Sequence, residues 1–120
     1  MSAYVRTTLE AGPWRRDAGP QSTLREIRAS ALALANPDFE LEFETVTHWL
    51  LEVDEATDRV TREIGLDDRD LPVTIAPHAQ NAGFWMPGDE RLEWRGMIRI
   101  DPARFEAAWE RFHQGRRPRQ

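Results

Sequence analysis

The sequence predicts an α+β fold: one domain with an antiparallel sheet of four or five strands, and an N-terminal and a C-terminal helix packed on it. Three observations point there. Apolar and polar residues alternate with period two over 39–54 and again over 91–100. The segments joining the strand-like stretches are too short for crossover helices, so neighbouring strands run antiparallel. Finally, Asp101-Pro102 opens a run whose apolar residues recur at helical spacing.

The chain opens with 2–9, a short strand of poor alternation in which Tyr4, Val5 and Leu9 are apolar. Residues 10–21 hold two Gly-Pro pairs and read as a loop, with Trp14 plugging onto the core. The first helix is expected at 22–35. Thr23 and Glu26 fit a capping box, Leu24, Ile27, Ala31 and Leu34 follow at helical spacing, and Asn36-Pro37 stops the run.

The clearest strand signal is 39–54. One phase carries Phe39, Leu41, Phe43, Thr45, Thr47, Trp49, Leu51 and Val53, expected to face the core. The other carries Glu40, Glu42, Glu44, Val46, His48, Leu50, Glu52 and Asp54, expected to face solvent. A straight strand of that length would reach about 53 Å, too long for a small domain, so a bend is expected near Thr45–Thr47. The turn Asp54–Asp58 then leads into Arg59–Leu66, with Val60, Ile64 and Leu66 in one phase. Asp67–Asp70 marks the next turn, and Leu71–Ala76 is a short strand with Val73 and Ile75 in phase. Residues 77–83 read as a polar loop, followed by the apolar run Phe84-Trp85-Met86 and a turn at Pro87-Gly88-Asp89. Over Arg91–Ile100, Leu92, Trp94, Ile98 and Ile100 alternate inward, and Gly96 takes an inward slot as a bulge or close-contact point. The second helix, 102–113, has Asp101 as N-cap, a stripe of Phe105, Ala108, Trp109 and Phe112, and Gly115 at its end.

The chain has 120 residues and reads as one domain over 1–115 with a frayed basic tail at 116–120. No apolar run approaches the roughly 18 residues of a membrane helix, and MSAYVRTTLE lacks the apolar core of a secretion signal. A cytoplasmic location away from membranes is therefore expected. Without Cys there are no disulfides, thiolate zinc sites or Cys nucleophiles. No two of the three His share metal-ligand spacing, and neither HExxH, a Gly-rich phosphate loop nor Gly-x-Ser-x-Gly occurs. No metal, cofactor or catalytic residue is assigned on this basis.

Charge is unevenly placed. All sixteen basic residues are Arg, and the net charge is −5. From Asp38 to Asp70 twelve acids face only three Arg, a local net of −9. Such a field repels nucleic-acid phosphates and attracts a basic protein surface. Glu40, Glu42 and Glu44, with Glu52, Asp54, Glu55 and Asp58, are read as one anionic docking surface, and Trp85 as an aromatic anchor beside it. The plainer reading of these acids is a solvated sheet face and hairpin tip that discourage edge-to-edge pairing. A competing site is local: His78, Gln80 and Asn81 in the polar loop, walled by Trp85, could hold a small ligand or carry acid–base chemistry. The plainer reading there is a solvated loop.

The stretches HWLLEVDEATDRVTREIGLD, PVTIAPHAQNAGFW and IRIDPARFEAAW resemble small bacterial proteins of toxin–immunity cassettes, in which a strand meander leads to a final helix opened by an acid and ended by aromatics. The resemblance implies a non-enzymatic role, binding a cognate toxin and blocking it. Residue charge and resemblance together lead to an expected immunity- or antitoxin-type inhibitor that docks a basic partner such as a toxin or nuclease. A phage-type inhibitor of a bacterial defence complex has the same profile. A small ligand-binding domain or enzyme around His78 is the third expectation.

Overall fold

A computed structural model describes residues 1–8, 21, 23, 25–27, 45–77, 85 and 91–115. Five strands form one antiparallel sheet: β1 (Ser2–Thr7), β2 (His48–Asp54), β3 (Arg59–Leu66), β4 (Pro72–Ala76) and β5 (Ile98–Arg99), in the spatial order β4-β3-β2-β1-β5. One helix, α1 (Pro102–Gly115), follows β5. The α+β expectation therefore holds for the sheet and the C-terminal helix. Residues 25–27 are helical, Ile27 N–H donates to the Thr23 carbonyl, and Glu26 N–H donates to Thr23 Oγ1 at 3.3 Å. The rest of the helix expected at 22–35 lies outside the described residues, as do Trp14, the strand reading of 39–44 and the tail at 116–120.

Both faces of the sheet are covered, which corrects the one-sided arrangement expected above. On the first face Ala3, Val5, Trp49, Leu51, Val53 and Val60 meet Ile27, Val46, Trp85, Leu92 and Trp94. On the second, Leu50, Ile64, Leu66 and Ile75 meet Phe105 and Phe112 of α1, with Tyr4, Ala108 and Trp109 at the margin. Ile27 and α1 thus sit on opposite faces. The phase of β2 expected in solvent lies under α1, and His48 and Leu50 are buried there. Apolar residues in both phases of 46–53 are what a strand covered on both sides requires.

Two bulges explain why residues expected in one phase part company. The β2–β3 register slips at Glu52/Val53, so Val60 faces the first cluster while Ile64 and Leu66 face the second. The β3–β4 register slips at Gly65/Leu66, separating Val73 from Ile75 in the same way. Gly65 lies where the backbone is most crowded. An added Cβ would meet Thr74 Oγ1 at 2.4 Å, Val46 Cγ2 at 2.9 Å and Trp49 Cζ3 at 3.1 Å. Gly65→Ala is therefore expected to destabilise by about 2 kcal/mol, overpacking outweighing the entropy Ala removes from the unfolded chain. Urea denaturation at constant m-value checks this, and a neutral or stabilising change would contradict it.

The strand expected over 91–100 is mostly not a strand. Trp94–Gly96 forms a 3-10 turn and only Ile98–Arg99 pair with β1. The physical reason is the β2–β3 turn. Leu92 N–H donates to the Asp58 carbonyl at 2.7 Å, and the Trp94 indole N–H donates to Asp58 Oδ1 at 2.8 Å. The Arg/aromatic alternation that mimics a pleat instead stacks Arg95 and Arg99 on the Trp94 ring, at 4.5 and 4.7 Å. Ile98, expected inward, is 67% exposed. Gly96 is no close-contact point, since an added Cβ there would meet nothing within 4 Å. The start of α1 follows expectation: Asp101 Oδ1 accepts the Ala103 N–H at 2.9 Å.

Candidate functional site

The acids expected to form one docking surface are put to different uses. Glu52 is held between Tyr4, Thr61 and Arg62 on the face that α1 covers. Arg62 Nη2 donates to Glu52 Oε2 at 2.6 Å and Nε to Oε1 at 3.0 Å, while Thr61 and Tyr4 hydroxyls donate at 2.8 and 2.9 Å. The guanidinium is the largest cause that lowers the Glu52 carboxyl to about 2. Arg62 also pairs with Glu106 of α1 and lies over the Phe105 and Trp109 rings at 4.8 and 4.9 Å. Glu52 is thus a structural carboxylate bridging sheet and helix, not part of an open anionic face. Asp58 is likewise occupied. It has a left-handed backbone, φ 59°, and its carboxylate accepts from the Trp94 indole and from Arg95 at 3.2 Å. The indole bond leads in holding its carboxyl below the usual range. Asp54 closes the turn by accepting the Ala56 N–H at 2.9 Å, and Glu55 remains half-buried at the tip.

Trp85 is not an exposed anchor. It is buried in the first-face core, edge-on to Trp49 at 6.3 Å between ring centroids, and its backbone N–H donates to Glu63 Oε2 at 2.7 Å. That placement also removes it as an open wall for the expected ligand site. His78, Gln80 and Asn81, and likewise Glu40, Glu42 and Glu44, lie outside the described residues.

The structure draws polar groups together at the opposite end of the sheet, around the β3–β4 turn. Asp67 Oδ1 accepts the backbone N–H groups of Arg69 and Leu71 at 2.9 and 3.0 Å, and these bonds lower its carboxyl, Leu71 contributing most. The Asp70 N–H donates to the Asp67 carbonyl, and Asp70 has φ 62°. This tight turn carries Asp70 Oδ1 to 2.6 Å from His48 Nε2, and His48 Nδ1 lies 2.8 Å from Thr47 Oγ1. Both ring nitrogens are thus engaged, Nε2 by Asp70 and Nδ1 by Thr47, whose hydroxyl also lies 3.5 Å from the Leu66 carbonyl. The imidazole is thereby fixed with only 7% of His48 exposed.

Two concavities flank this relay. One, open and about 460 Å³, is lined by Thr45, Thr47, Asp67, Asp68, Arg69 and Leu71. The second, about 210 Å³, lies between α1 and the sheet and includes Asp70. The period-two pattern places His48 on a solvent phase and does not single out Glu63, which is buried on the first face. The available signal was the doubled apolar phase of 46–53, which makes every polar residue of β2 and its partner β3 a candidate for burial. Among the described residues, no group of three or more His, Cys, Asp or Glu is arranged to hold a metal ion. No helix among them is long and apolar enough to cross a membrane. Comparison of the chain with protein-family profiles, with curated proteins and with solved structures finds no match.

Proposed function

We propose that this chain is a non-catalytic inhibitory protein of the immunity or antitoxin type, which docks a basic surface of a partner protein. The carrying observation is the open concavity at the β3–β4 turn, lined by Asp67, Asp68 and Arg69 together with Thr45 and Thr47. In the sequence, the acidic run Glu40, Glu42, Glu44 leads directly into Thr45, the wall of that concavity. This supports an interface built on Thr45, Thr47, Asp67, Asp68 and Arg69, which the acidic run adjoins in the sequence, and not on Glu52 or Asp58. An excess of one charge sign near a concave surface, here two carboxylates against one guanidinium, steers an oppositely charged protein and raises its association rate.

The test begins with capture and identification of the partner from the native host. Association is then followed at ~50 and ~500 mM salt, where the Debye length falls from about 14 to about 4 Å. Glu40, Glu42, Glu44 and Asp68 are reversed to Arg together. Asp68 is exposed, so its reversal leaves the fold intact. The expected result is an association rate at least about tenfold lower at low salt, with a flattened salt dependence. An unchanged rate and salt slope would overturn the proposal, as would a partner whose contact surface is acidic.

A further inference from the structure

The smaller concavity, which shares Asp70 with the acidic turn, has features of a ligand site. Arg104, Ala107, Ala108 and Arg111 line it from α1, at i, i+3, i+4 and i+7, one stripe of the helix. The two alanines leave room that a larger side chain would fill. Across the gap, Leu50, Leu66 and Pro72 supply an apolar floor. The backbone positions of Arg104 and Arg111 stand two helical turns apart, about 10 Å along the axis, at either end of the small residues. Neither has an ion-pair partner among the described residues, whereas Arg62 is committed to Glu52 and Glu106, and Arg95 to Asp58. Asp70 also lines the groove, its carboxylate fixed by His48.

We propose that this groove binds a small monoanionic carboxylate with a short aliphatic body. The alkyl chain would lie on Leu50, Leu66 and Pro72, and the carboxylate would accept from Arg104 or Arg111, whose planar forks match it. Asp70 disfavours a dianion such as a phosphate monoester, because a second charge beside a fixed carboxylate is repelled. Size points the same way. A volume of 210 Å³ holds about seven waters at ~30 Å³ each and falls below the usual range for drug-sized ligands.

Hexanoate is a suitable probe, followed by backbone amide chemical shifts of the full chain. A Kd on the order of 1 mM is expected for a ligand of about eight non-hydrogen atoms. Shifts should concentrate at Leu66, Asp70 and Ala107–Arg111. Hexanol and hexyl phosphate should each bind at least about fivefold more weakly, since one lacks the charge and the other doubles it. Arg104→Gln with Arg111→Gln should weaken hexanoate at least about tenfold. Ala107→Leu, at an exposed helical position, keeps both charges and fills the groove, so it should abolish binding. Hexanol or hexyl phosphate binding as tightly as hexanoate would overturn the proposal. Shifts lying elsewhere on the fold, or an Ala107→Leu variant that still binds, would do the same.

Discussion

Phe105→Ala is expected to cost the fold about 4 kcal/mol, the middle of the range for deleting a buried aromatic ring. Phe105 is fully buried and, with Phe112, packs α1 onto the sheet. Its ring lies 5.3 Å from that of Tyr4 and 6.2 Å from that of Trp109, with the Arg62 guanidinium above it. The surrounding walls are strand residues: Leu50, Ile64 and Leu66 on β2 and β3, which are paired on both sides, and Ile75 on β4, which is paired to β3. They cannot close over the space left behind, so the cavity penalty stays near its full value. A chain of this size should lose roughly 15 °C in Tm. Trp109→Ala, at the half-buried margin of the same cluster, should cost only about 1–2 kcal/mol. Urea titration of both variants at unchanged m-value measures the difference. Equal losses would show that the helix is anchored at its margin and not through Phe105.

Phe105 also shows what the sequence makes legible. Its stripe with Ala108, Trp109 and Phe112 is local, and an N-cap with proline at the first helical position is a local signal too. Hairpins are similarly readable, since Asp54–Asp58 and Asp67–Asp70 sit between apolar runs and both turns form there. What failed was inference about faces. A charged residue such as Glu52 reads as solvent-facing until its cation is found, and Arg62 is supplied by the next strand. Bulges shift phase without any signal in the residues that shift, which is how Val60 and Val73 leave their expected companions. Arg-aromatic stacking around Trp94 copies the alternation of a strand by a different geometry. The same limit applies to the site. Charge count located an acidic region, but not which acids are consumed internally, because that depends on pairings such as Asp58 with Trp94 and Asp70 with His48.

Replacing Arg62 by Met should remove about 2–3 kcal/mol at neutral pH and change how stability responds to acid. Met keeps part of the apolar stem but not the guanidinium that lies over Phe105 and Trp109, so the loss reports the ion pairs and the cation–π contacts together. Glu52 keeps hydrogen bonds from Tyr4 and Thr61 but no longer has a cation, and a carboxylate left poorly compensated under a helix is costly. In the native chain the Glu52 carboxyl titrates near 2, against an ordinary 4.5. A folded-state value below the unfolded one means that the pairing contributes fully above about pH 4.5 and is lost as pH falls toward 2. Arg62 retains contact with water, its side chain being 23% exposed. The contribution is therefore about 2 kcal/mol, smaller than a fully buried shift of that size would give. Native stability followed by denaturant titration between pH 5 and pH 2 should accordingly decline. In Arg62→Met the starting stability is lower and the decline over that interval is shallower, because Glu52 now titrates nearer its unfolded value. Glu52→Gln provides the complementary arm: it removes the titrating group while leaving Arg62 its pairing with Glu106. Its acid profile should be shallow as well, with a smaller loss at neutral pH. If both variants kept the native steepness below pH 4.5, the acid sensitivity of the fold would lie in other carboxylates and not in the Tyr4–Glu52–Arg62–Glu106 bridge.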